Sequence, residues 1–400
     1  MSAFSSAEKT INHTFVFTSN VFSAGGLKLN LTLASSNEGW DKAVNGQLLL
    51  EFASNSRVKV SGFVPKSTQQ QREDAKKLGI ELVDAKELPG HSSSDLLAYP
   101  PDSLNIDILM IHSYGRDVGR QAQVIKETKN CKWLHVLHTV SEELVKFAAE
   151  YESEHEVQLA LCQKADIVIA IGPKVAEAYQ SALRSSGKQK DVIDLTPGIF
   201  QNFIGVRPPP VDGETFRVLI SGSSKYFKIK GCDIAAKAIK LLNTPSFHLV
   251  FVVKPTENAA EITQALLGEG IDSNQLTVKA SGSSEDWIKL LCEADLAIKP
   301  SRTEGFGISG LRAISADLPV LVSGNIGLGV ALKKLPSGPN HVVESDDPQV
   351  WADKMKEVRA KDPKARSLEA ETLRKEYTGQ FNWKDQCDEL VDKMFIMIPK

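Results

Sequence analysis

The chain of 400 residues is 42% hydrophobic and 24% charged, ordinary globular material with enough apolar content for two separate cores. Its 47 basic and 50 acidic residues leave a net charge of -3 and a pI near 6.3, which excludes the basic footprint of a nucleic-acid or anionic-membrane binder. The longest apolar run, near 247–253, falls far short of the roughly 20 residues of a bilayer span, so no transmembrane segment is expected.

Taken in order, the first apolar segment, 13–19, is an expected strand, and a loop carrying Gly25 and Gly26 follows it. Leu27, Leu29, Leu31 and Leu33 alternate with polar residues, and that period alone argues for a strand. A glycine pair ahead of an apolar segment is also the usual corner between a strand and its helix; we weigh the corner above the alternation and expect a helix here. Strands are expected at 58–64, 80–83, 106–112, 131–138 and 165–171, helices at 69–78, 157–164 and 174–185, and a Ser- and Pro-rich loop over 90–102. Such βαβαβ alternation predicts a parallel sheet. Residues 1–10 lack the apolar centre of a secretory signal, and the five cysteines are scattered with no Cys-x-x-Cys pair. Reduced, mostly buried thiols and a cytoplasmic location are expected.

Segment 207–214, with three successive prolines, marks a boundary, because proline continues neither a helix nor an inner strand. The second half restarts with a strand at 216–221, a lysine- and glycine-bearing loop through Gly231, and a helix at 232–242. Strands at 248–253 and 276–279 alternate with helices at 259–268 and 284–294. The most informative stretch follows, at 293–332. A strand over 295–299 stops at Pro300, and a polar turn, 301–307, opens a helix whose apolar positions are Ile308, Leu311, Ala313 and Ile314. A second strand, 319–323, runs into the glycine loop 324–329 and a helix beginning at Val330. Two such corners side by side, at the carboxyl ends of parallel strands, offer helix amino termini to an anionic ligand. A strand at 341–344 and helices at 347–360, 364–377 and 383–397 complete the chain. The run Glu344-Ser-Asp-Asp347 fits a helix-capping cluster better than a metal site.

The residues Pro300-Ser-Arg-Thr-Glu-Gly-Phe-Gly307, Leu318-Pro-Val-Leu-Val-Ser323, Lys230-Gly231, Gly25-Gly26 and Trp133-Leu-His-Val-Leu-His138 together resemble the group 1, family 4-like retaining glycosyltransferases of the GT-B fold. Among these the resemblance points to glycosyltransferase-like proteins of invertebrate animals. It implies an α/β fold of two Rossmann-like domains facing a cleft: 1–206 on the acceptor side, 207–378 on the nucleotide-sugar side, and a helix within 379–400 returning to the first domain. It implies a small-molecule donor and acceptor, no metal, and no cofactor beyond the nucleotide-sugar substrate.

Sugar transfer from a nucleotide diphosphate requires fixed cations and backbone N–H groups where charge builds on the leaving phosphates. By resemblance the catalytic set is Lys230 at the phosphates, Glu304 against the donor-sugar hydroxyls and His138 near the donor sugar, with His112 at the neighbouring corner. Read without it, Lys230, Lys225 and Lys228 are a solvated lysine loop, Glu304 is a helix-stabilising acid, and each histidine is a satisfied polar group. The resemblance adds Gly25, Gly26, Ser223, Lys225, Gly305, Phe306, Gly307 and Arg312 as substrate contacts. Gly324, Gly327 and Gly329 are only loosely similar to a dinucleotide fingerprint.

Three positions depart from the pattern. Arg312 replaces a glutamate that holds the ribose, Ser223 replaces an arginine that grips the diphosphate, and no acid stands near Val330. Arg312, two helical turns after Glu304, is expected to project into the cleft and favour a more anionic ligand, or else to pair with Asp317 on the surface. Two functions follow: a retaining, metal-independent glycosyltransferase, or a catalytically impaired glycosyltransferase-like ligand-binding or interaction protein. A sugar-nucleotide epimerase is a third use of the same fold.

Overall fold

The computed structural model describes residues 28–35, 43–113, 117–147, 151–208 and 213–398. Their strands form two all-parallel sheets. The first contains β1 (Leu29–Ala34), β2 (Val58–Val64), β3 (Glu81–Asp84), β4 (Ile108–Ser113), β5 (Lys132–Leu137), β6 (Ile167–Ile171) and β7 (Val192–Leu195), in the order β3-β2-β1-β4-β5-β6-β7. The second contains β8 (Phe216–Ser221), β9 (Phe247–Val253), β10 (Leu276–Ala280), β11 (Leu296–Lys299), β12 (Val320–Ser323) and β13 (Val342–Val343), in the order β10-β9-β8-β11-β12-β13. Helices cover both faces, which is why central strands such as Ile167–Ile171 are apolar throughout rather than alternating.

The helix expected over the Leu27–Leu33 alternation is instead β1. Leu29, Leu31 and Leu33 enter one core with Leu48, Val60 and Met110. Leu31 pairs with Val60 on one side and with Ile108 on the other. A central strand gains ladder hydrogen bonds along both edges, so the period-2 pattern prevails over the local glycine signal. The expected strand at 13–19 and the pair Gly25-Gly26 lie outside the described residues. The loop at 90–102 contains one helical turn, Ser93–Leu96, started by a reciprocal capping box between Ser92 and Asp95.

The last helix, Trp383–Met397, lies against the first half. Asp388 accepts from Asn55 Nδ2 at 2.8 Å, Arg57 pairs with Asp392 at 2.6 Å, and Gln386 exchanges two 2.9 Å hydrogen bonds with the Thr196 backbone. All five cysteines are unpaired thiols, four of them buried. Among the described residues no helix is long and apolar enough to cross a membrane.

Candidate active site

Each sheet reverses its strand order once, between β1 and β4 in the first and between β8 and β11 in the second. The carboxyl ends of strands at such a reversal frame a crevice. Lys230 follows β8 and Glu304 follows β11, so the two strands flanking the second reversal deliver them. His112 and His138 stand on and just beyond the neighbouring strands β4 and β5.

Glu304 is enclosed by cations. Its Oε1 lies 2.8 Å from Lys230 Nζ and its Oε2 3.0 Å from Lys299 Nζ, while Ser301 Oγ donates to Oε2 at 3.1 Å. Burial works to raise the Glu304 carboxyl, but Lys230 and Lys299 overcome it and hold the group at about 2, a permanent anion. Gly231 makes this possible. At φ +66 it adopts the left-handed conformation, and a Cβ there would stand 1.9 Å from the Pro300 carbonyl oxygen. The loop therefore passes directly over the end of β11, bringing Lys230 to Glu304. The helix Cys232–Leu242 starts at that turn.

Across the crevice, Nδ1 of His112 and Nε2 of His138 are 2.7 Å apart and share one hydrogen bond, the rings stacked with centroids 5.0 Å apart. Burial, with a smaller push from His135, lowers His138 to about 3, so its imidazole is neutral at physiological pH. The two halves touch at this point. A Cβ on Gly305 would lie 1.8 Å from the His138 carbonyl oxygen, and the buried Phe306 ring fills the space left by the absent side chain of Gly172. Lys174 reaches from the first half to Glu143 at 2.6 Å, to Thr303 Oγ1 at 3.0 Å and to the Asn325 carbonyl, and Thr303 donates to Glu143. Gly307, at φ +110, then opens the helix Ile308–Ser315.

Other expected residues are distributed differently. Lys228 is taken up by Asp233 and Glu269, and Arg302 holds Asp233 through two bonds of 2.8 and 3.0 Å, so that part of the lysine loop is a structural network. Lys225 is exposed, 5.2 Å above the Tyr226 ring. Ser223 lies beside the Cys232 thiol, which burial pushes up to about 12. The helix that follows the loop at 324 begins at Gly327, before the expected Val330. Its glycines permit close packing: a Cβ on Gly327 would meet the Gly305 carbonyl oxygen at 2.0 Å.

Arg312 does not pair with Asp317, which is bound to Arg374 at 2.7 Å and whose carbonyl accepts from Arg207. Its guanidinium lies over the Trp287 ring at 4.9 Å, and burial lowers it to about 10. It lines a cavity of about 540 Å³ with Ser284, Gln47, Leu50 and Phe200, between the two halves. Sequence reasoning missed Lys299 and Lys174. A charged residue closing an otherwise apolar strand signals the first. A lysine in the first turn of the helix Pro173–Ala182, where the helix dipole disfavours cations, signals the second.

Two parallel-sheet Rossmann-like domains with a crevice between them define the GT-B architecture of glycosyltransferases. Solved structures share it: sucrose-phosphate synthase from Thermosynechococcus elongatus has a TM-score of 0.70 at 17% identity, covering 92% of this chain and 100% of that one. Anabaena HepE in complex with UDP-glucose has a TM-score of 0.66 at 15% identity, covering 92% and 100%. The chain belongs to the family described as Family 4 Glycosyltransferase in conflict systems, which matches residues 32–390. Similar sequences include proteins named D-inositol 3-phosphate glycosyltransferase. That of Corynebacterium urealyticum is 23% identical over 307 residues, 71% of this chain and 70% of its own length. That of Thermobispora bispora is 24% identical over 332 residues, 76% and 74%. Saccharomonospora viridis supplies one that is 30% identical over 229 residues, 55% and 51%. These relatives are bacterial, which corrects the expected likeness to invertebrate animal proteins.

Proposed function

We propose that the protein is a retaining glycosyltransferase that moves a hexosyl group from a nucleotide-sugar donor to an acceptor without a metal ion. The observation that carries this reading is the anionic Glu304, clasped by Lys230 and Lys299 at the crevice, with the adjacent Gly305 packed on the His138 carbonyl. In the reaction the bond from sugar C1 to the diphosphate breaks, a bond from C1 to the acceptor oxygen forms on the same face, and the acceptor proton leaves with the diphosphate. Lys230 and the amino termini of the helices Cys232–Leu242 and Ile308–Ser315 meet the phosphate charge. Glu304 accepts from the sugar hydroxyls. Neutral His138 contributes a hydrogen bond rather than a charge. Gly305 and Gly307 let backbone N–H groups approach the ligand, and Gly25, Gly26, Ser223 and Lys225 are further contacts. Phe306 acts indirectly, by seating the loop on the first half. We assign 1–206 to the acceptor side, 207–378 to the donor side and 379–400 to the returning helix, and place the enzyme in the cytoplasm.

The test is a transfer assay of the purified protein over a panel of nucleotide sugars, UDP-glucose first, with inositol phosphates among the acceptors because the relatives' name specifies one. Native protein should turn over at least one pair, and Lys230→Ala should lose at least about 90% of that turnover. EDTA should leave the rate unchanged. A tenfold or greater loss with chelator, restored by magnesium or manganese, overturns the metal-independent chemistry.

A second reading, of a ligand-binding protein impaired in catalysis, is favoured by Arg312, which carries a cation where an acceptor for ribose hydroxyls is expected. In this reading the cavity between Arg312 and the first half prefers a ligand with an extra anionic group. Losing a charge-assisted contact costs roughly 1.5–3 kcal/mol, or about one to two powers of ten in affinity. Titration calorimetry should accordingly show Arg312→Glu binding UDP about tenfold more tightly than the native chain. Equal affinities refute the changed preference.

A further inference from the structure

The two lysines on Glu304 are held differently. Lys230 stands on a loop and its side chain is 25% exposed, whereas the Lys299 side chain is 4% exposed. Lys299 is also the last residue of β11, its backbone paired with Val322 of β12. One ammonium is therefore able to turn toward a ligand and the other is not. Two cations on a single carboxylate leave one positive charge in surplus. An anionic ligand in the crevice competes with Glu304 for the exposed cation alone. No packing reason requires lysine at position 299, because an apolar residue fills a buried strand end without the cost of burying a charge.

We propose that Lys299 is a positioning residue that keeps the Glu304 carboxylate charged and oriented while Lys230 moves to the phosphates of the ligand; this rests on the glycosyltransferase reading of the site. If Lys230 were the sole partner, phosphate binding would strip Glu304 of its counter-ion at the step where it must accept hydrogen bonds from sugar hydroxyls. With Lys299 and the Ser301 hydroxyl on Oε2, Oε1 becomes free for a sugar hydroxyl without loss of the anion. The charged groups facing Glu304 are Lys230 and Lys299, and the Cys232 thiol behind Lys299 is neutral at physiological pH. Burial lowers the Lys299 ammonium itself, which Glu304 counters.

The experiment is a carbon-13 NMR titration of the Glu304 side-chain carboxyl in the native protein, Lys299→Met and Lys299→Arg, each without and with inorganic pyrophosphate. Native protein and Lys299→Arg should keep Glu304 ionised down to about pH 4 under both conditions. In Lys299→Met the midpoint should rise by about one pH unit or more, and further with pyrophosphate. If Lys299→Met titrates with the native protein under both conditions, the assignment is overturned. Lys299→Met leaves a balanced Lys230–Glu304 pair, and Lys299→Gln provides the same readout should the methionine variant fail to fold. In the transfer assay Lys299→Met should lower kcat about tenfold and leave KM within about threefold. A shifted Glu304 in a protein that turns over no donor supports the positioning role and counts against the glycosyltransferase reading. Unchanged titration with intact turnover does the reverse.

Discussion

Glu304→Gln is expected to lower turnover at least about a hundredfold, the loss typical of removing a group aimed at transition-state charge, and to destabilise the fold as well. The second effect follows from the neighbours. Glutamine keeps the shape of the side chain but leaves Lys230 and the buried Lys299 as two cations with no anion between them. Removing one partner of a buried ion pair costs roughly 3–5 kcal/mol. The pH dependence has a definite sign. The Glu304 carboxyl is held at about 2 in the folded chain against an ordinary value of 4.5. Its contribution is therefore complete above about pH 4.5 and lost as pH falls toward 2. The difference corresponds to at most about 3 kcal/mol, less the cost of burying the Lys299 ammonium. Urea denaturation at several pH values checks this: native stability should fall more steeply between about pH 5 and 3 than that of Glu304→Gln. Parallel curves would remove the ion pair from the account.

Gly305→Ala is expected to abolish most activity while adding only one methyl group. The new Cβ would lie 1.8 Å from the His138 carbonyl oxygen, so the halves must separate by more than about 1 Å to restore van der Waals contact. Displacement of that size costs about a hundredfold where reacting groups on two domains must meet. Overpacking adds about 1–3 kcal/mol of destabilisation. Gly379→Ala is the control, since a Cβ there meets nothing within 4 Å and the residue lies inside the helix Pro363–Gln380. That substitution should be neutral or stabilising by up to about 1 kcal/mol. Small-angle scattering should show Gly305→Ala more extended than Gly379→Ala. Equal scattering and equal turnover would mean the contact yields without opening the crevice.

The sequence alone determined most of the second sheet. Strands such as Phe216–Ser221 and Val320–Ser323 are short apolar runs ending in glycine or polar corners, and buried parallel strands have no other way to be written. It also determined that Lys230 and Glu304 lie in the loops that follow strands, because proline and glycine punctuate those corners locally. The nature of β1 was decided by tertiary structure, through neighbours 29 and 77 residues away in sequence that pair along its two edges. The partners of each charge were decided there too. Lys225, Lys228 and Lys230 are close in sequence, yet one is exposed, one joins Asp233 and Glu269, and one reaches Glu304, because only the packing of β8 against β11 and the close approach at Gly231 bring those groups together. Arg312 shows the same limit. Its spacing from Glu304 was legible, but its place over Trp287 depends on a residue 25 positions earlier, on the helix Ser284–Glu293, and on a cavity walled by the other half, contacts that no local pattern encodes.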